Sequence, residues 1–249
     1  MKNTWILFKR EMMAYFFSPI AYIVGICALL VMGINFSFAV NMLLEGRGEY
    51  SPMAIFFNIF FTWIILLAVV PVLTMRLFSD EKKTGTIEAL MTTPVRDIEY
   101  VFAKFLSGYF FFVIIWVPTF NYVFALRYFT KDITALDMGP ILGGYIDIFL
   151  VGMLFTAMGC MASASTRNQI IAAVLAFALI FGLFLFGILY YFNLADQYRE
   201  FFETFCVYQH MMEFSRGLIE WKRIVFYLTG TAFFLFITHR MVQSRQWKS

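Results

Sequence analysis

The sequence predicts an all-α integral membrane protein with six transmembrane helices. The chain is 61% hydrophobic and only 14% charged, whereas soluble domains are about 45–50% apolar and about 25% charged. Its apolar residues form six continuous runs on the scale of a bilayer core, which needs about 20 residues per helix. Continuous runs indicate helices, because the strands of a membrane barrel alternate and because backbone in lipid must find its hydrogen bonds internally.

The six runs define a single transmembrane domain that occupies the whole chain. Residues 1–18 are predicted to form an interfacial helix before the first run, because Trp5, Met12 and Phe16 share a helical face, although Lys9 falls among them. The sixth run is short, and the basic residues at its end are expected to snorkel to the headgroups. The predicted spans are 19–42, 53–75, 105–126, 138–162, 170–192 and 224–240, with a polar region at 76–104 and a long connection at 193–223.

The distribution of basic residues predicts the orientation. Twelve of the 19 Lys and Arg residues fall at the two termini, in the 76–104 region and in the 163–169 turn. The positive-inside rule therefore places both termini and the 76–104 region in the cytoplasm. The net charge of +3 and the absence of a basic cluster argue against nucleic-acid binding.

One dense polar segment interrupts this apolar chain at 78–100, where the sequence reads FSDEKKTGTIEALMTTPVRDIEY. Ser79 is predicted to cap a short helix, Gly85 permits a bend, and Pro94 ends the helix. Ile87, Leu90 and Met91 form a small apolar stripe at helical spacing. From these residues alone the segment is either a solvated loop with one amphipathic turn on the membrane or a helix that docks on a partner.

Three stretches resemble the ABC-2-type transporter permeases. The first is EKKTGTIEALMTTPV, where the matching residues are Glu81, Lys82, Gly85, Thr86, Glu88, Leu90, Pro94 and Val95. The second is ASASTRNQIIAAVLAF, where they are Ser165, Thr166, Asn168, Gln169 and Ile170. The third, YQHMMEFSRGLIEWKRIVFYL followed by RMVQSRQWK, is similar to the gliding-motility and copper-processing (NosY-like) branch of that family.

The resemblance implies the type V exporter fold and a coupling helix between spans 2 and 3. In such permeases this helix docks into a groove on a separate ATPase, with its apolar stripe as an anchor and its acidic residues facing a basic rim. The implied coupling residues are Glu81, Lys82, Gly85, Thr86, Ile87, Glu88, Leu90, Met91 and Pro94. Thr166, Arg167 and Asn168 are implied as a second cytoplasmic contact.

The same resemblance implies the partners and the location. Two ABC ATPase subunits carrying ATP and Mg²⁺ and a second permease copy or paralogue are expected, in a bacterial cytoplasmic membrane, with an accessory periplasmic or membrane protein as a further possibility. The implied function is export or extraction of a substrate driven by that ATPase. An ATPase-driven complex that does mechanical work on an envelope partner is the alternative, and a motor-independent channel or membrane enzyme is a third class.

Three residues are candidates for a substrate path, because spans 2 and 5 are implied to line one. These are Asn58, Phe181 and Asp147. Asp147 is the one ionisable residue deep in a predicted span, where a charge is costly. It is either a polar group on the path or a carboxylate near the outer interface, and Asn58 is either a path residue or an interhelical hydrogen-bonding group.

No metal centre and no catalytic site are expected. Cys206 and His210 stand four residues apart and could suit a soft metal, but a packing role is favoured. The sequence contains no G-x-x-x-x-G-K-[ST] phosphate loop, no H-E-x-x-H and no G-x-S-x-G, so no cofactor is expected in this chain.

Overall fold

The computed structural model describes residues 2–44, 51–85, 96–129, 138–192 and 199–244. Every regular element in these ranges is helical. Six helical segments among them are long and apolar enough to cross a membrane: Pro19–Met42, Phe60–Thr84, Asp97–Tyr128, Met138–Ser165, Gln169–Phe192 and Trp221–Gln243. The predicted all-α, six-span fold class is confirmed.

The described elements follow one another along the chain as twelve α-helices and two 3₁₀ turns. The helices are α1 (Lys2–Phe16), α2 (Pro19–Leu44), α3 (Pro52–Asn58), α4 (Phe60–Thr74), α5 (Arg76–Thr84), α6 (Asp97–Trp116), α7 (Phe120–Phe129), α8 (Met138–Ser165), α9 (Gln169–Ile188), α10 (Arg199–Phe205), α11 (Val207–Phe214) and α12 (Trp221–Gln243); the 3₁₀ turns are Val117–Thr119 and Leu189–Phe192.

Helix α8 lies at the centre of the bundle. It packs against α12, α9, α4, α11, α5 and α6. Two glycines allow this close packing. A Cβ on Gly143 would lie 1.9 Å from the carbonyl oxygen of Phe214, and a Cβ on Gly152 would lie 2.1 Å from the ring of Phe112. Because neither distance is possible for real atoms, any larger residue at these positions must displace a neighbour.

Three helices form the periphery. Only 22% of the apolar window of α2, 22% of that of α9 and 17% of that of α12 is buried within the chain, against 72% for α8. Their exposed faces carry large apolar side chains such as Ile23, Val174 and Phe233. Such faces can contact lipid or another membrane helix. They account for many of the apolar residues that do not pack inside this chain.

The predicted span 53–75 is not one helix. It breaks at Ile59, whose backbone is extended (φ −64°, ψ 145°) and separates α3 from α4. The break leaves the carbonyl of Phe56 to side-chain donors: Asn35 Nδ2 at 3.0 Å and Thr62 Oγ1 at 2.7 Å. A buried carbonyl needs such partners, and Asn35 on α2 therefore stabilises the interruption in the neighbouring element.

Two other boundaries differ from the sequence analysis. Ser79 is not an N-cap, because α5 begins at Arg76 and Ser79 lies inside it, donating its hydroxyl to the carbonyl of Met75. The sixth span is not short, since α12 is a helix of 23 residues. Helix α1 is separate from α2, as predicted for residues 1–18, and it packs along α6 through ring contacts of Phe8 and Tyr15.

Candidate functional site

Helix α5 is the structural element that carries the start of the predicted coupling region. It follows α4 with only Met75 between them and ends at Gly85, whose φ of 73° lies in the left-handed region. A glycine adopts this conformation without strain, which explains the helix end at this position. A Cβ there would meet no atom within 4 Å, so the requirement for glycine is conformational and not steric.

A serine from another helix caps α5. Ser163, near the end of α8, is fully buried. Its hydroxyl accepts hydrogen bonds from the backbone N–H groups of Phe78 at 3.0 Å and Ser79 at 3.2 Å, and it donates to the carbonyl of Met75 at 2.9 Å. Because the first N–H groups of a helix have no partner within that helix, Ser163 supplies from α8 what a local N-cap residue usually supplies.

A lysine near the C-terminal end of α5 joins that helix to the same end of α8. Lys82 is 5% exposed, and its ammonium group donates to the carbonyl of Ala164 in the last turn of α8. The last carbonyls of a helix lack internal donors and carry the negative end of the helix dipole. Lys82 therefore satisfies one of these carbonyls, whereas its neighbour Lys83 is exposed.

The turn between α8 and α9 is tied to α5 as well. Gln169 donates its side-chain amide to the carboxylate of Asp80. Within the turn, Thr166 Oγ1 accepts from the backbone of Asn168 at 3.1 Å, and Asn168 Oδ1 accepts from the backbone of Ile170 at 2.9 Å as the N-cap of α9. We call these contacts of α5 with residues 163–169 the α5 junction. It brings together two segments about 80 residues apart in sequence.

A group of charged residues, which we call the charge cluster, lies beside the α5 junction and consists of the buried Lys104, the largely buried Glu11 and Glu81, and the half-exposed Arg10. The ammonium group of Lys104, 3% exposed, lies 3.1 Å from Glu81 and 3.2 Å from Glu11. Arg10 contacts the same two carboxylates at 2.9 and 2.6 Å. Tyr100 donates its hydroxyl to Glu81 and stands with its ring 5.3 Å from the Lys104 nitrogen. The cluster links α1, α5 and α6.

The structure places the predicted coupling residues as follows. Glu81 points into the charge cluster with 15% of its side chain exposed, and Lys82 points to α8, so both contact other helices of this chain. Arg167 and Asn168 are exposed and Thr166 is half-buried, in a turn at the same end of the bundle. The remaining coupling residues, Thr86, Ile87, Glu88, Leu90, Met91 and Pro94, lie outside the described residues.

The three predicted path residues lie on three different helices, α3, α9 and α8. Asn58 ends α3 and donates to the hydroxyl of Ser215 at 2.7 Å, which ties α3 to the connection before α12. Phe181 on α9 stacks on Phe177 with ring centroids 5.4 Å apart. Asp147 is fully buried in α8. Asn58 therefore acts as an interhelical hydrogen-bonding group here, the second of its two interpretations.

Asp147 belongs to a buried polar network at the end of the bundle opposite the α5 junction. Tyr227, in the second turn of α12, and Arg223, one turn earlier, are its closest electrostatic neighbours, but neither carboxylate oxygen makes a well-formed hydrogen bond within the described residues. Asp147 thus lies level with the start of α12, as the interface interpretation expects. It differs from that interpretation in being completely covered by protein.

Arg223 and His210 connect this network to the segment between spans 5 and 6. The guanidinium group of Arg223, 5% exposed, binds the carboxylate of Glu213 and lies 3.2 Å from Glu220 and 3.6 Å from Glu203. His210 Nδ1 lies 3.0 Å from the hydroxyl of Tyr227, and Nε2 lies 3.2 Å from the carbonyl of Glu203. We call these residues, with Asp147, the α11 network.

The soft-metal alternative finds no support in this geometry. Both ring nitrogens of His210 are engaged in hydrogen bonds. Burial raises the pKa of the Cys206 thiol, which disfavours the thiolate that a metal requires. No group of three or more His, Cys, Asp or Glu residues within the described ranges is arranged to hold a metal ion.

The burial of His210 makes a pH dependence testable. Burial, with a smaller contribution from Arg223, lowers its pKa from 6.5 to about 3. Between these values the unfolded chain binds a proton that the folded chain does not, so stability falls as the pH falls below about 6.5, by up to about 1.4 kcal/mol per pH unit. We expect the midpoint of thermal unfolding in detergent to drop over this range, and to drop less in His210→Gln.

Lys222, Arg223 and Tyr227 also face this histidine, and Glu203 faces it through its backbone carbonyl. Glu203→Gln is therefore the matched control, because His210 contacts only the backbone carbonyl of Glu203. In this variant the midpoint of thermal unfolding should change with pH near pH 6 as it does in the wild type. The same slope in wild type and His210→Gln would show that His210 does not titrate in this way.

The sequence analysis missed the residues that hold both sites together. In the sequence analysis Tyr227 is only a member of a span, Lys104 and Arg223 are only charges, and Ser163 falls in the turn after span 4. A weak signal exists for Lys104 and Arg223, because each is a cation at the edge of an apolar run near several carboxylates. No comparable signal exists for Ser163, because a serine near a helix end is common and its partner lies 85 positions away.

Six apolar spans, with α8 at their centre and a polar assembly at each end of the bundle, define a multi-pass membrane protein. The family comparison agrees. A model of the ABC-2 family transporter proteins matches residues 29–245, and the chain belongs to that family. No curated protein matches the sequence significantly. Permeases of this family are membrane components that work with an ABC ATPase subunit, typically in a dimer.

Proposed function

We propose that this chain is the permease subunit that couples ATP hydrolysis by a separate ATPase to export or extraction of a substrate. The observation that carries the proposal is the α5 junction. The two segments with the family's cytoplasmic motifs, one after span 2 and one between spans 4 and 5, meet at one end of the bundle through Ser163, Lys82 and Gln169.

The contacts of α5 suit the transmission of force. Helix α5 continues from α4 and is bonded to the end of α8 and the start of α9. A displacement of the 76–104 region by a partner would therefore move three spans together. An ATPase shifts such a bundle between states only if it binds one state better than the other, and ATP-driven closure of two ATPase copies supplies that difference.

The proposed assembly follows the family pattern. Two ATPase subunits, each with ATP and Mg²⁺, bind at the α5 end, which is cytoplasmic together with both termini in a bacterial inner membrane. The contacts are the 76–104 region, with Glu88 and the stripe of Ile87, Leu90 and Met91, and the exposed turn at Arg167. A second permease copy or paralogue completes the membrane part, and an accessory envelope protein joins it where the cargo requires one.

Mechanical work on an envelope partner, without transport of a solute, remains the second candidate. The observation that favours it is that Asn58 and Asp147 interact with Ser215 and Arg223, next to span 6, so both polar residues have packing roles within the chain. ATP hydrolysis stimulated by the envelope partner, with no movement of a solute into sealed vesicles, would select this candidate over transport.

The test is purification of the tagged protein from its native host in mild detergent, followed by mass spectrometry and ATPase assays in lipid nanodiscs. A stoichiometric ATPase is expected with the wild type and is expected to be lost in Glu88→Arg. Lys82→Met should keep the ATPase bound but lower permease-stimulated hydrolysis at least about tenfold, because a buried charged hydrogen bond of the α5 junction is removed.

Lys83→Met is the matched control, since Lys83 is the exposed neighbour on the same helix, and it should hydrolyse ATP at the wild-type rate. A folded, monodisperse wild-type chain that brings no ATPase with it would overturn the proposal and reopen the channel and membrane-enzyme classes. Equal hydrolysis in Lys82→Met and wild type would remove the α5 junction from the mechanism.

A further inference from the structure

A cavity of about 370 Å³ lies between α1, α2, α4, α5 and α6. Its volume is within the range of about 300–1,000 Å³ that is usual for small-molecule sites. It adjoins the charge cluster and shares Asp80 with the α5 junction, whose other contacts, through Phe78, Ser79 and Lys82, lie on the side of α5 that faces α8. Nothing in the proposed coupling role requires a cavity here.

The cavity has an apolar half and a polar half. The apolar half is lined by the first turns of α2 at Ile20, Ala21 and Val24 and by Val72 and Leu73 of α4. The polar half is lined by charged residues of α1, α5 and α6. Because α2 is a span that begins at Pro19, the change from apolar to polar lining falls at the end of that span, where the headgroups of a bilayer lie.

Most of the charges in the polar half neutralise one another. Arg10 and Lys104 pair with Glu11 and Glu81 in the charge cluster. One cation and one anion remain without an oppositely charged partner among the described residues, Arg76 and Asp80, which stand one helical turn apart on α5.

Arg76 and Asp80 are each bonded only to neutral groups of the described chain. Arg76 Nη1 donates to the hydroxyl of Ser18 at 2.9 Å, and its Nε is buried without a hydrogen-bond partner. Asp80 accepts from the amide of Gln169. The Nε of Arg76 is covered by protein, so a ligand in the cavity reaches the guanidinium through its Nη groups. The cavity is thus lined by a cation without an anionic partner and by a carboxylate without a cationic partner among the described residues.

We propose that this cavity binds a zwitterionic phospholipid that carries a primary ammonium group. The phosphate of the headgroup binds the guanidinium of Arg76, which presents forked donors that suit phosphate oxygens. The ammonium group binds the carboxylate of Asp80, and an acyl chain runs along Ala21 and Val24. A zwitterion matches the one free charge of each sign, whereas an anionic headgroup would leave its charge beside Asp80 uncompensated.

The apolar half selects a lipid over a phosphate compound from solution. A free phosphate would leave the surface of Ile20, Ala21 and Val72 exposed to water inside the cavity, and burying apolar surface is favourable at roughly 25 cal/mol per Å². The bound lipid would bridge α1, α2 and α5. The proposal is independent of the ATPase, so failure of one does not imply failure of the other.

The experiment uses the full-length chain, delipidated in detergent and incubated with mixed micelles of phosphatidylethanolamine, phosphatidylcholine and phosphatidylglycerol in equal amounts. Lipid retained per chain is counted by native mass spectrometry. We expect one retained phosphatidylethanolamine in the wild type and at least about tenfold weaker retention in Arg76→Gln and in Asp80→Asn, the size expected for loss of a charge-assisted hydrogen bond.

Ala21→Phe tests the apolar half, because it fills the cavity and leaves both charges in place; it should also lose the lipid. Arg167→Gln, an exposed cation at the same end of the bundle, is the matched control and should retain it. Each variant is first shown to be monodisperse with the wild-type helical content. If Arg76→Gln or Asp80→Asn fails this check, Arg76→Lys or Asp80→Glu takes its place and should also weaken lipid retention.

Three results would overturn the proposal. Equal retention of the three lipids would remove the recognition of the ammonium group by Asp80. Displacement of the lipid by excess inorganic phosphate would make the site one for a soluble phosphate compound. Unchanged retention in both Arg76→Gln and Ala21→Phe would place the bound lipid elsewhere on the chain.

Discussion

Replacing Lys104 with methionine should destabilise the protein by about 3–5 kcal/mol, the cost of breaking a buried ion pair from one side. Methionine keeps the length and apolar surface of the side chain but leaves Glu11 and Glu81 with only Arg10, which is half-exposed. The expected measurement is denaturant titration in mixed micelles. Helix α1 should detach first, because the charge cluster is its polar link to α5 and α6.

Two comparisons make this prediction specific. Lys9→Met changes an exposed lysine of α1 and should alter stability by less than about 0.5 kcal/mol. The double variant Lys104→Met with Glu81→Gln should lose less stability than the two single variants together. Without the carboxylate of Glu81, the loss of Lys104 leaves fewer charges unpaired. Strict additivity would show that Lys104 and Glu81 do not interact as the structure has them.

Replacing Arg223 with methionine should be the second most damaging change, at about 3 kcal/mol. The guanidinium group faces Glu213, Glu203 and Glu220 together and also interacts electrostatically with Asp147. Its loss should release α10 and α11 from the start of α12. Limited proteolysis between spans 5 and 6 should detect the release, and thermal unfolding should detect the loss of stability.

Lys222 provides the control for this prediction, because it is the exposed basic neighbour of Arg223 and Lys222→Met should behave like the wild type. Arg223→Lys should recover only part of the loss, since a lysine keeps the charge but not the fork that reaches two carboxylates. If Asp147 contributes to the α11 network, the double variant Arg223→Met with Asp147→Asn should lose less stability than the two single variants together. Protease resistance equal to the wild type would show that the α11 network does not hold this segment.

The sequence was sufficient for the architecture because composition and run length determine how many helices can cross a bilayer. Helix ends that a local residue determines leave a signal in the sequence, as Gly85 does at the end of α5, although the sequence analysis expected only a bend there and placed the helix end at Pro94. They were not predictable where a distant residue does. The break at Ile59 depends on Asn35 of another helix, and the start of α5 depends on Ser163 of α8.

The candidate site shows the same division. The motifs around Glu81 and Asn168 lie in two segments that meet at the α5 junction. The direction of individual side chains could not be read from the motifs. Glu81 and Lys82 are adjacent polar residues on one helix, and only packing turns one towards the charge cluster and the other towards the carbonyl of Ala164.

The peripheral position of α12 has a consequence for how the protein is made. Its span has a mean hydropathy of 1.3, the lowest of the six, while the other two peripheral spans, α2 and α9, have 2.3 and 2.8. Segments as apolar as α2 and α9 enter the bilayer from the translocon on their own, whereas a weakly apolar segment such as α12 needs an earlier helix to pack against. Helix α12 packs along α8. Integration of α12 during synthesis therefore depends on α8 already being in the membrane. Substitutions that disrupt α8 should yield chains in which α12 is not inserted into the bilayer.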